Sequence, residues 1–194
     1  MTETKTEIKK ILKRREKLLE LVIASNGDIS KRNSELLNSM LADIDNELSE
    51  YVKTPVGEWL LQIKGVTIST AAGLLAYFDI KGKTRAAQFI KYSGADNSGN
   101  SYSTAVRKIM NQLSEELKEA RGLYYKLNDD KFFELLAQKV SVTTAHIRAD
   151  RYMKKVFISH LFEEMYREEH KGELPERYND ESCIIIPPEV QYTR

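Results

Sequence analysis

The residues best suited to chemistry in this chain are cations set beside glycines. Lys64-Gly65-Val66-Thr67 joins an apolar stretch holding Leu60 and Ile63 to a second one holding Ala71, Ala72, Leu74, Leu75 and Phe78. A glycine between two such runs lets the chain reverse, because it alone takes positive φ without a steric cost. The helix after the reversal begins with backbone N–H groups that lack intrahelical partners and carry partial positive charge. Such donors suit a phosphate. Lys64, Gly65, Val66, Thr67 and Ser69 are therefore candidate DNA contacts. A second set follows: Lys81 and Lys83 flank Gly82, and Arg85, Lys91, Arg107 and Lys108 come after. Each feature has a plainer alternative. Gly65 can be an ordinary helix stop, and the cations can be a solvated face.

Charge distribution favours the phosphate reading over the chain average. The formal net charge is +1, which excludes a chain that is basic throughout. Residues 53–126 carry 11 Lys and Arg against 6 Asp and Glu, net +5, and the remainder is net −4. The positive stretch contains both glycine turns. Neutralisation of a phosphate backbone needs this kind of local excess.

Other chemistries find little support. His146, His160 and His170 stand 14 and 10 residues apart, which is not a ligand spacing. His160 and Glu164 share a helix face, but two groups do not close a metal site, so no metal ligands are assigned. There is no phosphate-cradling P-loop, dinucleotide fingerprint or Cys-x-x-Cys. Tyr124-Tyr125 lacks the basic and histidine partners of a tyrosine recombinase and reads as core. Trp59 reads the same way. The single Cys183 fits a small hydrophobe in a reducing compartment.

The elements that must position these residues are helical throughout. Ile8, Ile11, Leu12, Leu18, Leu19, Val22 and Ile23 stripe a helix over 2–24, and Leu37, Met40, Leu41, Ile44, Leu48 and Tyr51 stripe one over 30–52. Asn26-Gly27-Asp28 makes the turn between them, giving an antiparallel, coiled-coil-like arm. Its apolar faces exceed what one hairpin hides, so the arm packs on the rest of the chain or forms a homodimer through residues 2–52. Pro55 starts a short helix. Ser69 or Thr70 caps the helix after Gly65, Thr84 the next, and Ser103 or Thr104 the one after. Between the last two lies Ser93-Gly94-Ala95-Asp96-Asn97-Ser98-Gly99-Asn100-Ser101, the most loop-like stretch, read as functional loop or as linker. Gly122 interrupts the helix from Ser103, Asn128-Asp129-Asp130 begins a short one, and 143–170 form the last. From Lys171 the chain is irregular, with Ile184-Ile185-Ile186 as an extended segment. The expected fold is all-α: an arm over 1–54, a helical domain over 55–171 and a tail over 172–194. No apolar run approaches the ~20 residues that span a bilayer, so no membrane partner and a cytoplasmic location are expected.

Three matches carry a resemblance. They are Ile63-Lys64-Gly65-Val66-Thr67 with Thr70-Ala71-Ala72; Phe89-Ile90-Lys91-Tyr92-Ser93-Gly94 with Asn97-Ser98-Gly99; and Arg151-Tyr152-Met153-Lys154-Lys155-Val156-Phe157 with Ile186-Pro187-Pro188-Glu189-Val190. The first resembles the helix-hairpin-helix module of DNA-binding proteins. Together the three resemble the C-terminal part of insertion-sequence transposases of the one-hundred-ten type, relatives of the Piv DNA invertase, over about residues 30–190. The resemblance implies a helical domain after a coiled-coil arm, and a serine nucleophile whose match here is Ser98. Ser93 and Ser101 are neighbouring rivals.

Two departures bear on what carries over. Family hairpins read Gly-hydrophobic-Gly, and the second glycine is Thr67 here. The family's N-terminal RuvC-like domain, with its four acidic metal ligands, has no counterpart in residues 1–52. Carboxylates need a rigid scaffold to converge on a metal. The chain itself is thus expected to hold no cofactor, with Mg²⁺ only where a separate RuvC-like chain supplies the site. The expected function is backbone-directed DNA binding in transposition or recombination, with RNA as a further possible partner. The alternative is a helical interaction or oligomerisation module that keeps the fold and has lost DNA binding and catalysis.

Overall fold

The computed structural model describes residues 2–24, 31–96 and 103–172. Among them are eight helices and no strand, so the all-α expectation holds. They are α1 (Thr2–Ala24), α2 (Lys31–Tyr51), α3 (Pro55–Gln62), α4 (Ile68–Tyr77), α5 (Ala86–Ser93), α6 (Thr104–Ala120), α7 (Leu123–Ala137) and α8 (Val142–Glu169). The Asn26-Gly27-Asp28 turn, Ser98 with its neighbours, and the tail with Cys183 lie outside the described residues. No described helix is long and apolar enough to cross a membrane.

The chain divides into two compact units. The first comprises Met1–Gln62 and Val66–Phe78. In it α1 and α2 run antiparallel, tied by ion pairs from Arg14 to Glu47 and from Arg15 to Asp45. Ile8, Ile11 and Leu18 of α1 and Leu48 of α2 point inward at helical spacing and are buried. Each such side chain contributes on the order of 2 kcal/mol by leaving water. The α4 helix packs on both. Its Ala71 and Ala72 are fully buried, since a methyl side chain lets two helices approach closely. At its far end Lys5 Nζ donates to the Phe78 carbonyl at 3.1 Å, and Lys9 Nζ lies 4.6 Å from the Tyr77 ring centre. The expected division after residue 54 differs from this arrangement, which takes α3 and α4 together with the arm.

The second unit comprises Ile63–Gly65 and Asp79–Arg194. Here α8 is central: α5, α6 and α7 all pack against it. Phe89 of α5 meets Phe162 of α8 edge-on at 5.3 Å, and Met110, Leu113, Leu117, Met153, Phe157 and Leu161 fill the interior. Two polar centres cross this packing. Asp150 of α8 accepts hydrogen bonds from Ser114, from Lys118 Nζ at 2.5 Å and from Lys154 Nζ at 2.8 Å. Burial pushes its carboxyl up, but those three donors outweigh burial and hold it at about 2. His160 Nδ1 shares a 2.7 Å hydrogen bond with the Tyr124 hydroxyl, while Nε2 has no partner among the described residues. Burial alone lowers this imidazole to about 4, so it stays neutral.

Several helix ends differ from expectation. The α7 helix runs unbroken through Asn128-Asp129-Asp130 instead of starting there. Tyr124, Asn128 and Leu135 fall on one buried face, and that packing outweighs the turn preference of Asn and Asp. The break lies earlier, where Arg121 turns left-handed at φ 51° and Gly122 caps α7. The cap of α5 is Arg85, not Thr84. Gln88 Oε1 reaches back to accept from the amides of Thr84 at 3.0 Å and Arg85 at 3.3 Å. Ser103 caps α6 as expected, accepting from Val106 N.

Candidate nucleic-acid interface

Gly65 adopts φ 104°, the left-handed backbone its sequence position predicts. Its surroundings give it a second reason to be glycine. A Cβ there would sit 2.7 Å from the Glu116 carbonyl oxygen and 2.7 Å from Ala120 Cβ. The Lys64-Gly65 backbone therefore lies flush against the last turn of α6, and a Cβ on Gly122 would come 3.2 Å from Lys64 Cβ. That turn carries Glu115, Glu116 and Glu119, while its Lys118 is committed to Asp150. An anion at Gly65 would face carboxylates. Close packing accounts for the glycine without a ligand.

The start of α4, in the first unit, is closed from within. Thr67 is extended (φ −88°, ψ 160°), and its Oγ1 accepts from Thr70 N at 3.3 Å. Its carbonyl accepts from Ala71 N at 2.9 Å. The same hydroxyl shares a 3.1 Å hydrogen bond with Ser69 Oγ and donates to Thr70 Oγ1 at 3.2 Å. The cap is thus Thr67, not Ser69 or Thr70, and both of these are buried. The residue that departs from the family's second glycine works as an N-cap here. Val66 is buried as well, so of this stretch only Lys64 and Thr67 are exposed.

The remaining predicted contacts gather around α5. Ala86, Phe89, Ile90 and Ser93 face inward, and Arg85, Gln88, Lys91 and Tyr92 share the exposed face at three- and four-residue spacing. Before α5, Lys83 N donates to the Ile80 carbonyl at 2.9 Å, closing a turn in which Gly82 has φ 67°. A Cβ at Gly82 would meet nothing within 4 Å. After α5, Gly94 ends the helix left-handed, and Ser103 N donates to the Tyr92 carbonyl at 3.1 Å. That bond pins the start of α6, with exposed Arg107 and Lys108, beside Lys91. Lys81, Lys83, Arg85 and Lys91 form no ion pair among the described residues.

The predicted site thus separates into parts. Lys64 and Gly65 sit at the C-terminal end of α6. Arg107 and Lys108 lie near its start, roughly 15–20 Å away at 1.5 Å per residue. Lys81, Lys83, Arg85 and Lys91 join Arg107 and Lys108. Val66, Thr67 and Ser69 belong to the other unit. Ser98 falls between Asp96 and Ser103 in sequence and lies outside the described residues. Gln88 and Tyr92 were missed from sequence, although their spacing from Arg85 places them on its face. Among the described residues no three His, Cys, Asp or Glu side chains converge to hold a metal ion. Comparison with family models, curated proteins and solved structures finds no match to this chain.

Proposed function

We propose that this chain binds a nucleic-acid backbone through the exposed face of α5, its preceding turn and the first turns of α6. One observation carries this reading: Lys81, Lys83, Arg85 and Lys91, without ion pairs among the described residues, cluster on one exposed side of a helix packed on α8. Cations held there lose little solvation on meeting phosphates, and the counterions released from the nucleic acid drive association. The resemblance to transposase C-terminal domains places the activity in DNA transposition or recombination. On the same resemblance Ser98 acts as nucleophile on a phosphodiester, with Mg²⁺ and its carboxylates supplied by a separate RuvC-like chain.

The test is binding of a labelled DNA duplex across a salt series. The wild-type chain should weaken steeply with salt. Lys81→Glu/Lys83→Glu should bind at least about tenfold more weakly and with a shallower slope, each lost phosphate contact removing about 0.9 from it. Binding that ignores ionic strength would sink the reading. Strand transfer at Ser98 is checked separately: cleavage that survives Ser98→Ala excludes it.

A second reading, self-association through the arm, has its own support. Leu21, Ile23, Leu36 and Met40 are 45–64% exposed on α1 and α2. Large apolar side chains grouped this way favour a partner surface. Light scattering should give a dimer mass that falls to the monomer in Leu36→Lys/Met40→Lys; an unchanged mass counts against it.

A further inference from the structure

We infer that the α5 face takes unpaired nucleotides, with the Tyr92 ring as the platform on which a base stacks; this rests on the backbone-binding reading above. Tyr92 is 37% exposed, on the same face as Arg85 and Lys91. Its backbone is fixed by the hydrogen bond from Ser103 N, so the ring is carried on a rigid point between Lys91 and the start of α6. A cation–aromatic–cation surface matches the two parts of a single strand. Phosphates meet the charges, and bases meet the ring.

The rest of the face argues against reading base edges through an amide. Gln88 is its only amide side chain, and its carbonyl oxygen is occupied by the Thr84 and Arg85 amides. Ala87 offers no polar atom. Base contact is therefore left to stacking, which tolerates any sequence because every base has a π face. In a duplex the bases stack on one another and present only their edges, so a ring on a helix surface reaches them only where pairing is absent. Single-stranded DNA and an unpaired stretch of RNA share this chemistry.

The experiment measures binding of the full chain to a labelled oligothymidylate, an oligouridylate of equal length and a DNA duplex. We expect both Tyr92→Ala and Tyr92→Phe to keep the wild-type melting temperature. Tyr92→Ala should lose about tenfold in affinity for at least one single strand and little for the duplex. Tyr92→Phe, which keeps the ring, should retain wild-type binding. The single strand that loses more identifies DNA or RNA as the source. Equal affinity of Tyr92→Ala and wild type for both single strands, or an equal loss on single strands and duplex, overturns the stacking inference. Lys81→Glu/Lys83→Glu separates this from the underlying reading. If that variant weakens every ligand while Tyr92→Ala changes nothing, stacking alone fails. If it changes nothing, backbone binding fails too.

Discussion

Lys64-Gly65 and Lys81-Gly82 look alike in sequence and differ in the folded chain. Both glycines have positive φ beside a lysine. Gly65 is pressed against the carbonyl of Glu116, and Gly82 stands in open space. The first is required by packing and sits among carboxylates. The second only turns the chain and sits among cations. A Lys-Gly pair alone therefore cannot mark a phosphate site; what lies across from the glycine decides.

Breaking this contrast starts at the packed corner. Gly65→Ala forces an L side chain into left-handed backbone and against a main-chain carbonyl that cannot swing away. We expect a loss of about 4 kcal/mol in chemical denaturation. A loss near 1 kcal/mol would show that α6 yields easily and that the corner is not tightly built.

The interior behind that corner should be acid-sensitive in two windows. His160 has a folded pKa of about 4 against 6.5 for the free side chain, so the unfolded chain takes up the extra proton. Stability should fall as pH drops below about 6.5 and level off near 4, by about 3 kcal/mol in all. Melting curves of His160→Phe should lack that decline; an unchanged decline would refute the assignment. Asp150, held at about 2 against 3.8, contributes fully above about pH 4, and its contribution fades as pH falls toward 2. Asp150→Asn should cost about 2 kcal/mol at neutral pH by urea titration, because it uncouples Lys118 and Lys154 from the α6–α8 contact. The smallest effect belongs to the open turn. Gly82→Ala meets only the left-handed backbone cost, about 1 kcal/mol. A loss as large as that of Gly65→Ala would erase the contrast between the two turns.

Helix positions and the inward stripes were legible because period 3.6 is written in residue type. Ile8, Ile11, Met153 and Phe157 lie where their spacing put them. The positive φ of Gly65 was legible too. Caps were less so. Thr67, Ser69 and Thr70 all carry a cap-competent hydroxyl, and only backbone geometry selects Thr67. Nothing local announces that Gln88 would reach back over Thr84. The candidate site suffered most, since contacts between distant segments have no sequence signature. Gly65 meeting Glu116, and Ser103 bringing Arg107 to Lys91, are both of this kind.

The two charged rungs of the arm have a mechanical consequence. Arg15 grips Asp45 with two prongs, at 2.7 and 3.2 Å, next to the Arg14–Glu47 pair. Half-exposed pairs of this sort add little to stability. Sliding α2 by one turn, about 5.4 Å, would bring Leu41 or Ser49 opposite Arg15 and strand its guanidinium. The rungs thus act as a detent: they choose one setting for the arm, and so hold Leu21, Leu36 and Met40 at one height for whatever meets them.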